Sequence, residues 1–305
     1  MSYAVGVVGL GAMGMGAAKS CIRAGLETYG VDLNPGALEA LKDAGAQGVG
    51  ASAEVFADRL DAVLLLLVNA AQVQAVLFGD EPDGDPGLVA RLNPGTGVMV
   101  SSTISAADAA GIGERLAGHG LLMLDAPVSG GAARAERGEM TVMAAGSAEA
   151  FSRLAPVLDA VAGKVYNVGT ELGQGATVKI IHQLLAGVHI AAGAEAMALA
   201  ARAGIPLDLM YDVVTHAAGN SWMFENRMKH VVEGDYAPLS MVDIFVKDLG
   251  LVAETAKGLR FPLPLASTAL NMFTEASNAG FGREDDSAVI KIFSGIELPR
   301  KGEPT

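Results

Sequence analysis

Cysteine is almost missing from this chain: Cys21 is the single one among 305 residues. One thiol excludes a disulfide framework and any metal site built from cysteines. Cys21 falls inside an Ala-rich helical pattern, where plain core packing accounts for it. Basic charge is also short, with 21 Lys and Arg against 34 Asp and Glu and a net charge of −13. That balance argues against nucleic acid and polyphosphate surfaces as partners. It leaves room for a small anionic substrate, provided the site supplies its own fixed donors. Although 51% of the residues are hydrophobic, no apolar run approaches the roughly 18 residues that a membrane span needs. The basic n-region and cleavage site of a secretory signal are missing as well. The expected location is therefore cytoplasmic, with no membrane partner. A metal site finds little support: His182 and His189 lie seven apart, and no third ligand stands at a useful spacing.

Glycine, by contrast, is plentiful and well placed. The short apolar run from Met1 to Val8 leads at once into Gly9-Leu10-Gly11-Ala12-Met13-Gly14, and a helical pattern follows to about Gly25. Strand, glycine turn and helix in that order form the dinucleotide-binding fingerprint in its required context. Gly9 permits the tight turn, Gly11 lets backbone approach a pyrophosphate, and Gly14 lets the helix pack close to the strand. The N–H groups at the helix start receive the phosphates. Residues 27–31 read as the next strand, and Asp32 ends it, eighteen residues after Gly14. An acid there accepts hydrogen bonds from the ribose hydroxyls and repels a 2′-phosphate. Leu33, Asn34 and Pro35 offer no cation to hold such a phosphate. The expected cofactor is NAD.

The remaining chain separates into two regimes. To about Val168, strands and helices alternate: a helix from Pro35 to Gly45, strands at 46–49 and 61–68, helical pattern at 53–60, and strands at 97–100, 121–124, 141–145 and 164–168. The longest apolar stretch, 62–68, fits a strand buried on both faces of a parallel sheet. This predicts an α/β Rossmann-type doubly wound parallel sheet over 1–168, with an acidic, turn-rich loop at 80–87. Ligands are then expected outside the carboxyl ends of the strands, which brings in Val68 and Asn69 as cofactor residues. From Gly175 to Gly204 runs a long apolar helical pattern, broken by Lys179, His182, Gln183, His189, Glu195 and Arg202. Those interruptions favour a buried interdomain helix over a membrane segment. Helical patterns at 207–217, 223–233, 239–258 and 263–280 predict an all-α domain over 169–296, with a frayed tail at 297–305.

Four polar clusters carry candidate chemistry. Ser101-Ser102-Thr103 follows a strand, where hydroxyls reach a ribose or nicotinamide, or where Thr103 or Ser105 caps the next helix. Asp125-Ala126-Pro127-Val128-Ser129-Gly130-Gly131 joins a stiff turn to exposed N–H groups and the Ser129 hydroxyl, a concave set suited to a carboxylate; a plain Gly-rich turn is the alternative. Lys179 lies in the first turn of the long helix, where it opposes the dipole amid apolar neighbours. His182 and Gln183 follow at i+3 and i+4 and share its face. Burial and a positive nicotinamide nearby would lower a lysine from about 10.4 toward the range of a general base; a structural lysine is the alternative. In Phe245–Leu249, Lys247 is suited to anchor a ligand and Asp248 to fix a cation, against an ordinary surface charge pair.

With these residues in view, the chain resembles the β-hydroxyacid dehydrogenase family, which includes 3-hydroxyisobutyrate dehydrogenases and tartronate semialdehyde reductases. The resemblance spans about Val5 to Phe293 and rests on Gly9–Gly14, Ser102-Thr103, Asp125–Gly131, Gly173–Lys179 and Lys247-Asp248. It implies a Rossmann domain joined by a long helix to a helical domain that drives homodimer or homotetramer formation. It also implies Lys179 as catalytic acid/base, Ser129, Gly130 and Gly131 at the substrate carboxylate, and Thr103 and Lys247 at the cofactor. One position departs: the family commonly has asparagine four residues after the lysine, and here stands Gln183, preceded by His182. The longer amide points to a more hydroxylated substrate, read by both side chains. The stretch 179–189, with 221–227, 244–248 and 285–289, looks like the L-threonate dehydrogenase branch. The expected activity is NAD-dependent oxidation of the 2-hydroxyl of a four-carbon sugar acid. The alternatives are 3-hydroxyisobutyrate oxidation, reduction of tartronate or succinic semialdehyde, an imine reductase, and a non-catalytic NAD-binding regulator.

Overall fold

The computed structural model describes residues 3–79 and 86–302, so most of the acidic loop expected at 80–87 lies outside the described residues. The chain divides into two compact units, and the division falls between Lys179 and Ile180 inside one long helix.

The first unit follows the β/α alternation. In order come β1 (Ala4–Val8), α1 (Ala12–Arg23), β2 (Glu27–Val31), α2 (Pro35–Asp43), β3 (Gly48–Gly50), β4 (Ala62–Leu65), α3 (Ala70–Phe78), β5 (Gly97–Val100), α4 (Ala106–Gly118) and β6 (Leu122–Asp125). Then come β7 (Val128–Ser129), α5 (Gly131–Arg137), β8 (Met140–Ala145), α6 (Ala148–Val161) and β9 (Ala162–Gly169). The sheet order is β3-β2-β1-β4-β5-β6-β8-β7, with β9 on β8. Its first six strands have the doubly wound order, whose reversal point lies between β1 and β4. The apolar run of β4 is explained by its two buried faces. Val63 and Leu65 join one core with Val98, Val100 and Ile112. Ala62 and Leu64 join the opposite one with Val5, Val7 and Leu124. Cys21 belongs to this second core, and burial pushes its thiol up to about 12.

Three features depart from the sequence reading. The sheet is not parallel throughout, because β7 and β8 pair antiparallel and β8 also runs antiparallel to β6. The return from β7 passes only through short α5, and a parallel partner would need a full crossover. The stretch 53–60 forms two 3₁₀ turns rather than one helix, and the Phe56 ring packs tilted against Tyr29 at 4.8 Å. Strand β4 stops at Leu65 rather than Val68. Leu66 N–H still donates to Val8 O at 2.9 Å, and the two amides after it leave the ladder: Leu67 N–H donates to Ser102 Oγ at 3.0 Å and Val68 N–H to Gln72 Oε1 at 2.9 Å.

Helix α7 (Gln174–Arg202) carries the boundary. By length and composition it is apolar enough to cross a membrane, and 50% of its most apolar window is buried against protein. The second unit adds α8 (Leu207–Thr215), α9 (Trp222–Glu233), α10 (Val242–Leu259), α11 (Pro264–Ala276) and a closing 3₁₀ segment, Asp286–Ile292. Ile190, Ala194 and Met197 of α7 pack with Met228, Phe245, Leu249, Phe273 and Val289. Gly187 is small for a reason: a Cβ there would meet the Leu249 side chain at 2.9 Å. At the base of this unit Arg227 Nε stands 2.7 Å from fully buried Asp286. Leu298 packs onto the same core, and Lys301 pairs with Asp235 at 2.7 Å. The start of the expected tail is therefore docked against the second unit, and residues 303–305 lie outside the described residues.

Candidate active site

The fingerprint turn shows why each glycine is there. Gly9 has φ +88, and a Cβ on it would lie 2.6 Å from Leu66 O. A Cβ on Gly14 would come within 1.7 Å of Gly9 O, so the start of α1 presses directly on the end of β1. Gly11 differs: its φ is −66 and a Cβ would meet nothing within 4 Å. The protein itself does not demand glycine at 11, whereas a pyrophosphate lying on that backbone does. Gly11 and Ala12 are exposed. No side chain caps the start of α1 and no acid lies in its first turn, which keeps the positive end of the helix available to an anion.

Asp32 faces this turn. Its Oδ2 accepts from Leu10 N–H at 2.6 Å and its Oδ1 from Asn34 N–H at 2.8 Å. Two backbone donors fix the carboxylate with lone pairs to spare for ribose hydroxyls. These residues fit NAD and oppose a 2′-phosphate. Asp32→Ser is expected to weaken NAD binding by about 1.5–3 kcal/mol, the usual worth of hydrogen bonds to a charged group, and to narrow the preference over NADP. Calorimetric titration with both dinucleotides checks it; unchanged NAD affinity would show that Asp32 does not hold the ribose.

At the end of β4, Asn69 caps α3 by accepting from Gln72 N–H at 2.9 Å, while Val68 is 46% exposed beside it. The hydroxyl cluster after β5 is split in role. Ser101 donates to Ala126 O at 2.9 Å and Ser102 receives Leu67 N–H, both side chains buried. Ser105, not Thr103, caps α4. Thr103 is half-buried.

The last residue of β6 has an importance that the spacing did not reveal. Asp125 is 1% exposed, and its Oδ2 accepts from Gly173 N–H at 2.8 Å and Ala176 N–H at 2.9 Å. Burial pushes its carboxyl up, while the Ala176, Gly173 and Gly175 amides pull it back. Asp125 thus caps the start of α7 from the end of β6. Gly175 permits the approach, since a Cβ there would lie 2.4 Å from Asp125 O. The capped helix starts at Gln174, so buried Lys179 stands in its second turn rather than the expected first. Beyond Asp125, Ser129 ends β7, Gly130 has φ +133 and Gly131 has φ +71 with open space where a Cβ would be.

In the second unit a polar chain crosses from α7 to α10. Lys247 Nζ donates to Asp248 Oδ1 at 2.5 Å, and Gln183 Nε2 donates to Asp248 Oδ2 at 2.5 Å. His182 Nδ1 lies 3.0 Å from Gln183 Oε1. Asp248 is 2% exposed, so Lys247-Asp248 is not the surface pair that the sequence left open. Among the described residues no group of three His, Cys, Asp or Glu is placed to hold a metal.

Comparison with known proteins gives this geometry its setting. Residues 4–169 match the family described as the NAD binding domain of 6-phosphogluconate dehydrogenase. Residues 173–293 match the one described as the NAD-binding of NADP-dependent 3-hydroxyisobutyrate dehydrogenase. The chain belongs to the β-hydroxyacid dehydrogenase family. It is similar to the L-threonate dehydrogenase of Pectobacterium atrosepticum, 73% identical over 99% of this chain and 97% of that one. It is likewise similar to that of Cupriavidus necator, 58% identical over 99% and 100%. Among solved structures it resembles a 3-hydroxyisobutyrate dehydrogenase from Salmonella typhimurium, 70% identical, with a TM-score of 0.92 over 96% of this chain and 100% of that one. This chain is an NAD-dependent hydroxyacid dehydrogenase.

Proposed function

We propose that this enzyme oxidises the 2-hydroxyl of a four-carbon sugar acid, L-threonate, to the 2-oxo acid. The observation that carries the reading is its nearly full-length likeness to enzymes named for that substrate. The residues in hand support it. NAD, when bound, supplies the hydride acceptor. Lys179, buried at 6% exposure, takes the proton of the reacting hydroxyl in its neutral form. Ser129, Gly130 and Gly131 hold the carboxylate, which fixes the face that the reacting carbon presents. Gly9–Gly14, Asp32, Val68, Asn69, Thr103 and Lys247 hold the cofactor, and His182 and Gln183 read the remaining hydroxyls. In the same reading residues 169–296 serve substrate closure and assembly into a homodimer or homotetramer. Ile181, Leu185 and Leu199 of α7 are more than half exposed, apolar surface that a second copy would cover.

Oxidation of 3-hydroxyisobutyrate is the second reading, favoured by the name of the Salmonella structure. L-Threonate deuterated at C2 separates the two. Transfer of that deuterium to the reduced cofactor, with a primary isotope effect on kcat/KM, is the expected result. Reduced cofactor free of deuterium would place the transferred hydride on another carbon and overturn the proposal.

A further inference from the structure

The polar chain of the second unit determines a proton position that coordinates alone leave open. Both contacts of Asp248 come from donors: the Lys247 ammonium at Oδ1 and an amide group of Gln183 at Oδ2, each at 2.5 Å. A lysine ammonium has only donors, and an ionised carboxylate only acceptors. Gln183 must therefore turn its NH₂ to Asp248. A flipped amide would set its carbonyl oxygen against a buried carboxylate. With the amide so fixed, Oε1 is the atom facing His182 Nδ1 at 3.0 Å. A carbonyl oxygen only accepts, so Nδ1 carries the hydrogen. In a neutral imidazole the other nitrogen, Nε2, is then an acceptor.

We propose that Asp248, acting through Gln183, fixes His182 as a hydrogen-bond acceptor at Nε2, and that His182 thereby selects acids bearing a hydroxyl beyond the oxidised carbon. The inference rests on the four-carbon reading above and deepens it. An asparagine at 183 has an arm one methylene shorter, and the span from α7 to Asp248 is held here by the longer glutamine. Asp248 is a positioning residue, and His182 is the group that meets the substrate. A substrate hydroxyl donates to Nε2; a methyl group at that place offers no hydrogen, and a second carboxylate would meet a lone pair. Discrimination of about ten- to a hundredfold is expected from one such hydrogen bond left unmade.

Two measurements on the full-length enzyme test the inference. Long-range ¹⁵N–¹H correlation spectra of histidine-labelled protein, at a pH where His182 is neutral, are expected to show the Nδ1–H tautomer for His182. Asp248→Asn frees the Gln183 amide to turn, and the His182 signals should move toward the Nε2–H form. Nε2–H in the parent enzyme, or no change in D248N, overturns the positioning chain. The second measurement compares kcat/KM for L-threonate with that for 2,4-dihydroxybutyrate and 2,3-dihydroxybutyrate, each lacking one hydroxyl. The parent should favour L-threonate over one of these by at least about tenfold. His182→Phe should collapse that ratio, and His182→Gln, which offers a carbonyl acceptor, should restore part of it. A ratio unchanged in H182F overturns the selective role. If the parent turns over none of the four-carbon acids, the substrate reading fails, and the spectra still decide whether Nε2 is held as an acceptor.

Discussion

Lys179→Ala is expected to remove turnover while leaving NAD binding within about twofold of the parent. The cofactor contacts assigned to Gly9–Gly14 and Asp32 belong to the first βαβ unit, and their hydrogen bonds involve Leu10 and Asn34, not the lysine. A general base contributes roughly 10²–10⁴-fold, so kcat should fall by at least that factor. Activity of K179A should not return when pH is raised, because the group that takes the proton is gone. Calorimetric titration with NAD beside steady-state kinetics makes the comparison. Equal loss of binding and turnover would mean that buried Lys179 is structural, and retained turnover would remove it from the chemistry.

Asp125→Ala should be the most damaging change away from the reacting atoms. It leaves the Gly173 and Ala176 amides without their 2.8 and 2.9 Å acceptor at a site with no water access. Each unmet buried N–H costs about 1–3 kcal/mol, so for the two a loss of roughly 2–6 kcal/mol is expected, read as a lower urea midpoint. Because α7 starts from these bonds, Lys179 also loses its fixed place, and kcat should fall more than NAD affinity. Asp125→Asn keeps a carbonyl oxygen for both amides and gives up the burial penalty that pushes the acid up. It should therefore recover most of the stability. A D125A protein as stable as the parent would show that the cap is dispensable.

What the sequence could disclose was whatever depends on near neighbours. Gly9, Gly11 and Gly14 lie within one turn of chain, and their spacing encodes a backbone shape that needs no tertiary knowledge. Asp32 was legible because a βαβ unit has a standard length. The helical second unit followed from apolar periodicity punctuated by Pro and Gly. Partnerships across long stretches of chain were hidden. Asp125 meets Gly173 across 48 positions, and Gln183 meets Asp248 across 65. Nothing local to either motif says which atom faces which. The antiparallel turn into β8 was hidden for a similar reason: a buried strand of Met140–Ala145 reads the same in either direction. Ser101 and Ser102 looked like ligand hydroxyls because a strand end exposes its next residues to the crevice. Here two of the three turn inward to hold Ala126 and Leu67.

The most direct test of the central claim is the rate of NADH formation across a panel of acids, at mildly alkaline pH, with NAD and with NADP. The panel holds L-threonate, D-threonate, both erythronates, 3-hydroxyisobutyrate, glycerate and tartronate. Turnover mainly with L-threonate and NAD is the expected result. Preference for 3-hydroxyisobutyrate, or for NADP, would contradict it.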